Sequence, residues 1–340
     1  MLRIISFLIG ITTISSSIIL FSSNSPSISS IYAQDTPYYN NNNNNTNENN
    51  NSSFLINELE KVKNILESKV TKLATALQIA SSLPQILEHH DVNLIDPKVN
   101  GIQEDADIEK RKIAKILLDQ FNEFSSIGLL LNNGYVYFVE PFERQLNLTT
   151  NNLSFRDYYQ AVVHTKKTYL SDAIISKSSG RNLAVMATPI INNKNNMTGI
   201  LYGSINFNNY DKFLQSLNLQ NNTKLVLIDK TGVKMGDSNV NETSVSKESF
   251  EKKQFSNLTS VQYALEDKSG SILEKFEGKE SQITFLPYDL FQNKRILLLI
   301  QDCNSDKKPN ESNKCINNNG NNNELNLFNE NTLSNLGSFF

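Results

Sequence analysis

Tryptophan is absent from this chain, cysteine occurs twice and histidine three times among 340 residues. Lys and Arg number 32 against 35 Asp and Glu, a formal charge of −3, and the cations nowhere form a dense block. A nucleic-acid groove is thereby excluded, because neutralising phosphates needs clustered Lys and Arg. Two cysteines with no histidine nearby cannot build a tetrahedral zinc site. Gly-X-Ser-X-Gly, His-Glu-X-X-His and a glycine-rich phosphate loop are all missing, and no nucleophile pattern surrounds His164. His89 and His90 fall at a helix end, where they cap carbonyls or face solvent. The sequence therefore predicts no enzyme, no cofactor and no metal.

What the chain does contain is amide and hydroxyl. This polar composition suits a surface kept soluble by hydration. Met1–Arg3 carry one cation, residues 4–21 form an apolar run broken by Thr and Ser, and SSIYAQ (29–34) supplies small residues for cleavage after Ala33. An uncleaved membrane anchor is the competing reading of residues 1–34, and both put the bulk of the protein outside the cytoplasm. Cys303 and Cys315 then read as a disulfide closing a local loop. Sequons at Asn147, Asn196, Asn221, Asn241, Asn257 and Asn310 agree with a glycosylated exterior, or simply follow from so much Asn and Ser.

Residues 35–52 are an Asn-rich linker. A long helix is predicted over 53–92: Leu59, Val62, Leu66, Val70, Leu73 and Leu77 recur at three and four, and Pro84 kinks or breaks it before His89. A second amphipathic helix fits 105–124. The period then becomes two, with strands at 127–131 and 135–139 about an Asn132-Asn133-Gly134 turn. A short helix over 155–164, strands at 183–190 and 199–207 and a helix at 210–217 complete a lobe spanning 93–220. A smaller lobe, 221–302, has a hairpin about Lys230-Thr231-Gly232, a helix over 246–254 and strands at 272–276, 281–287 and 295–301. Residues 303–340 form an Asn-rich disordered tail. The fold class is α+β, a long N-terminal helix followed by two lobes with antiparallel sheets.

The candidate site lies in LSFRDYYQAV, TYLSDAIIS, NLAVMATPI and TGILYGSINF (residues 153–207). Arg156 offers a fork of donors suited to a carboxylate, or else holds its loop by pairing with Asp157. On a helix, Arg156 and Tyr159 share a face, with Tyr158 elsewhere. Tyr135 and Tyr137 alternate with Val136 and so face one side of a strand. Ala187 and Thr188 are small enough to admit a ligand against the sheet, or are plain packing.

Those segments, in that order, resemble the double Cache family of extracellular sensor domains, relatives of the PAS fold. The resemblance covers residues 53–302, with its motifs confined to 153–207. It implies two PAS-like lobes, the first being membrane-distal and ligand-binding. There Arg156 would hold an anionic group, Tyr158 would pack on the ligand, and Tyr169 and Asp172 would lie on a loop facing the cavity. Two departures stand out: Asn151 replaces a tyrosine five residues before the Arg, and Ser204 replaces the Asp that pairs with a ligand's amine. A simple carboxylate or other small polar ligand is therefore expected before an α-amino acid. No second apolar span or cytoplasmic output follows, so the expected partners are a small-molecule ligand and either a membrane receptor or a second copy through the long helix, whose stripe could serve a partner as well as its own sheet. Other readings remain open: a surface structural or adhesion protein keeping the fold without a ligand, and a secreted hydrolase.

Overall fold

The computed structural model describes residues 46–179, 182–217, 219, 223–239 and 255–303. The leader, the helix expected over 246–254 and Cys315, with its expected pairing to Cys303, lie outside the described residues.

Helix α1 (Thr46–Ser81) runs for 36 residues. Its stripe of Leu55, Leu59, Val62, Leu66, Val70, Leu73 and Leu77 is buried in one continuous core that takes in residues of both lobes. It packs on strands from both sheets. Its outward residues Asn57, Lys61, Asn64, Ser68, Thr71 and Thr75 are exposed and polar. The stripe expected to serve a second copy is thus covered by the chain itself. The helix ends short of the expected His89: Ser81 and Ser82 hydroxyls donate back to the Gln78 and Ile79 carbonyls. Pro84, which cannot continue an i to i−4 ladder, opens a separate turn, α2 (Pro84–Leu87).

The first lobe begins with a ribbon of β1 (Ile95–Asp96) and β2 (Gly101–Ile102), followed by α3 (Ile108–Gln120). Then come β3 (Phe124–Leu131), β4 (Val136–Glu140), α4 (Phe142–Leu146), α5 (Asp157–Thr165), β5 (Tyr169–Leu170), β6 (Ile174–Ile175), β7 (Asn182–Ile191) and β8 (Met197–Asn206). The antiparallel sheet has the order β4-β3-β8-β7-β5, with β6 on β7. Gly134 takes φ +84° in the predicted β3–β4 turn, where a Cβ is disfavoured. Helix α6 (Phe207–Ser216) follows, with Asn206 accepting from the Asn208 amide as its cap.

The second lobe holds β9 (Thr223–Asp229), β10 (Lys234–Asp237), α7 (Thr259–Leu265), β11 (Gly270–Phe276), β12 (Lys279–Leu290) and β13 (Asn293–Asp302). Its antiparallel order is β10-β9-β13-β12-β11. One face joins the α1 core, and the other packs Phe255, Val261, Phe276 and Phe285.

Two buried polar groups stand between α3 and the first sheet. Arg111 donates to Glu140 at 2.7 Å and to the carbonyls of Ile102 and Gln103, between the rings of Phe138 and Phe142. Lys110 pairs with Asp107 at 2.7 Å, and the Tyr137 hydroxyl donates to the same carboxylate at 2.9 Å. His90 stacks on Tyr137, its Nδ1 2.8 Å from the Glu88 carbonyl oxygen and its Nε2 buried without a hydrogen-bond partner.

Candidate ligand-binding hollow

Helix α5 sits over the face of the first sheet opposite α1, and its entry sets the site. Arg156 is the residue before the helix, in extended backbone at φ −74°, ψ 141°. Its amide donates to the Leu153 carbonyl, and its own carbonyl accepts from Gln160. Extended geometry alternates side chains two apart. Arg156 and Tyr158 consequently line one hollow, while the Tyr159 hydroxyl reaches away to the Asn132 carbonyl at 2.6 Å. The helical spacing that pairs Arg156 with Tyr159 is overturned by this one non-helical residue.

The floor of the hollow comes from Ser126, Val139, Leu183, Val185, Tyr202 and Ser204 on the sheet; Leu148 and Leu153 wall one side, and Ile174 and Ser176–Ser178 the other. Its cavity volume is about 30 Å³, room for about two waters but not for a metabolite. Two rings take up the rest: Tyr158 and Tyr202 lie with centroids 5.9 Å apart. Burial pushes both phenols well up, so both stay protonated donors.

The Arg156 guanidinium donates to the Ile175 carbonyl at 2.8 Å and lies 5.2 Å from the Phe155 ring centroid. Among the described residues it makes no ion pair. Asp157 does not neutralise it. That carboxylate lies 3.4 Å from the Asp172 amide nitrogen, and its pKa is raised, chiefly by burial.

The other expected residues go elsewhere. Tyr135 is exposed, at an isolated bridge to Asn152. Tyr137 is wholly buried on the α1 side, because the register slips between Leu129, opposite Phe138, and Leu130, opposite Val136. This bulge puts Tyr137 and Phe138 in the α1 core and leaves Val136 and Val139 on the hollow's face. The alternation that would have set Tyr135 and Tyr137 together is broken there. Ala187 is packed beneath α5 without lining the hollow, and Thr188 meets Thr168 at 3.0 Å on the opposite face. Tyr169 and Asp172 face the second lobe: Asn293 Nδ2 lies 3.1 Å from the Tyr169 hydroxyl and 2.9 Å from Asp172 Oδ1, and Lys230 lies 3.2 Å from Asp172 Oδ2. Asp172 is therefore committed away from Arg156.

Ser204 does line the hollow, opposite Ser126 in the ladder. Tyr202 and Ser126 belong to the site without having been singled out from sequence. For Tyr202 the signal was present, since it precedes Ser204 by two on one strand and so shares its face.

The sequence matches no family model, and no curated protein matches it. Solved structures do match. The periplasmic sensory domain of the Campylobacter jejuni chemoreceptor Tlp1 is 13% identical, at a TM-score of 0.52 over 75% of this chain and 96% of that one. The ligand-binding domain of the Pseudomonas aeruginosa amino acid chemoreceptor PctB, in complex with L-Arg, is 13% identical at 0.50, over 70% and 89%. An extracellular ligand-binding receptor from Desulfohalobium retbaense is 12% identical at 0.53; 72% of this chain is covered but only 39% of the receptor, so this chain spans well under half of its length. These proteins are sensory and ligand-binding domains. Helix order, paired antiparallel sheets and these likenesses together give the chain the fold of the double Cache extracellular sensor domains.

Proposed function

We propose that this chain is an extracytoplasmic sensor or binding domain that takes a small carboxylate or similar anion into the first-lobe hollow without transforming it. One observation carries the reading: a guanidinium with no carboxylate partner among the described residues stands at a hollow lined by two phenols, four serines, Lys177 and aliphatic side chains. A half-buried guanidinium whose described partner is a single carbonyl keeps donors for an anion that brings the counter-charge. Tyr158, Tyr202, Ser126 and Ser204 would supply neutral hydroxyls for its remaining oxygens. An α-amino acid fits less well, because Ser204 cannot neutralise an ammonium and Asp157 and Asp172 are turned away. As the hollow has only about 30 Å³ of cavity volume, Tyr202 or the 174–178 wall must shift to admit a metabolite.

Among the described residues that line the hollow, no serine hydrogen-bonds a side chain able to act as its base, which supports binding rather than hydrolysis. The leader would deliver the domain outside the cytoplasm, tethered or secreted, where a membrane receptor could read its state. Self-association through α1 would have to use its polar outer face.

Thermal-shift screening against organic acids, amino acids, amines and purines tests the reading. Stabilisation by an acid, lost in Arg156→Ala and retained in Tyr135→Ala, supports it. Silence across the panel would favour a structural surface module, and turnover of a generic ester or peptide would revive the hydrolase.

A further inference from the structure

The outer wall of the hollow and the grip between the lobes are one stretch of chain. Residues 169–173 are held from below by the tip of the β12–β13 hairpin. Asn293 Nδ2 lies 3.0 Å from the Leu170 carbonyl oxygen and 2.9 Å from Asp172 Oδ1. Arg295 donates to the Ser171 carbonyl at 2.7 Å, and Gln292 Nε2 to the Thr168 carbonyl at 2.8 Å. The Ala173 amide donates to Asp229 at 2.8 Å. Asn293, Arg295, Asp229 and Ser171 are all 2% exposed or less, so water cannot replace these bonds cheaply. Residues 174–178 continue without a break into the hollow's wall, where the Ile175 carbonyl takes the Arg156 donor.

The hairpin tip is itself strained. Phe291 and Gln292 both lie in the left-handed region, at φ 47° and 65°, where glycine or asparagine is usual. Such conformations persist when their surroundings hold them. Here the Phe291 carbonyl accepts from the Leu170 amide.

We propose that residues 169–178 act as a strap coupling the hollow to the second lobe, so that opening the hollow loosens the hairpin tip and loosening the tip opens the hollow. Of the two irregular walls, the stretch with Leu148 and Leu153 contacts the first lobe's own turn, whereas the strap is the one bonded to the second lobe. This deepens the binding reading, since it says how occupancy would be passed on. The coupling itself is a property of the empty protein, and reciprocity is its signature.

Hydrogen–deuterium exchange on the full chain without ligand tests it. Asn293→Ala should speed exchange at 174–178 by about tenfold or more, the scale of one lost buried hydrogen bond, with β3 and β8 unchanged. Arg156→Ala should in turn speed exchange at 291–295, across the lobe boundary. If Asn293→Ala loses protection throughout β9 and β13, Gln292→Ala, which removes the second-lobe bond to the Thr168 carbonyl, replaces it. Faster exchange confined to the mutated lobe in both directions overturns the strap. A silent ligand panel would leave the strap standing, and unchanged exchange would leave ligand binding standing, so the two failures are separable.

Discussion

The ring of Tyr202 lies against the bare Cα of Gly128, so near that a Cβ built there would stand 2.4 Å from the ring. The two residues face each other across the β3–β8 ladder. A glycine in β3 is thus the recess that lets Tyr202 lie down and fill the hollow.

Gly128→Ala should therefore cost about 1–3 kcal/mol by overpacking. The loss should shrink in a Tyr202→Ala background, where the methyl meets empty space. Urea unfolding of the two single variants and the double gives the coupling, and additive losses would deny the contact.

Stability should depend on pH through two groups of opposite sign. His90 is held down to about 4, first by burial and then by Lys110, with Asp107, His89 and the Glu88 carbonyl also facing it. Its ordinary value is near 6.5, so the unfolded chain binds the extra proton and stability falls as pH drops from 6.5 towards 4, by at most about 3 kcal/mol. Asp211 is pushed up to about 6, chiefly by burial, with the Asp237 amide and Lys234 opposing and the Asp237 carboxylate adding. There the folded chain holds the proton longer, so its term weakens the fold as pH rises from about 4 to 6. Denaturant midpoints of His90→Gln and Asp211→Asn at pH 4.5, 5.5 and 7.5 separate the terms. His90→Gln should flatten the acid loss, and Asp211→Asn should stabilise most at pH 7.5.

Arg111 and Glu140 form a pair with both side chains 2% exposed or less. Arg111→Met alone leaves the buried Glu140 carboxylate only Lys115, at 3.8 Å, and should cost about 3 kcal/mol, whereas Arg111→Met with Glu140→Leu should recover most of it. Equal losses in the single and double variants, measured by urea unfolding, would show that packing around the guanidinium matters more than its charge.

Much of the architecture was legible because it rests on strong periodicities. The α1 stripe and the Asn-Asn-Gly turn are signals that tertiary contacts reinforce. What escaped depended on single residues. Helices of five residues at Phe142 and seven at Thr259 are too short to show a period. The Phe291-Gln292 turn lacks the glycine that marks a two-residue hairpin, and the bonds it makes to Thr168 and Leu170 of the other lobe have no local sign. Of the residues that line the hollow, the resemblance names Arg156, Tyr158 and Ser204, but one bulge turned Tyr137 over and one extended residue took Tyr159 out of the face helical spacing gave it. Asp172 carries no local sign of the long-range partners, Asn293 and Lys230, that claim it.

Because α1 lies along both sheets and its leucines and valines belong to one core, neither half is a self-sufficient piece. Cutting the gene near residue 220 would leave half a spine uncovered, an oily ridge that invites precipitation. Fragments are therefore the wrong material for study, and melting should show a single cooperative step.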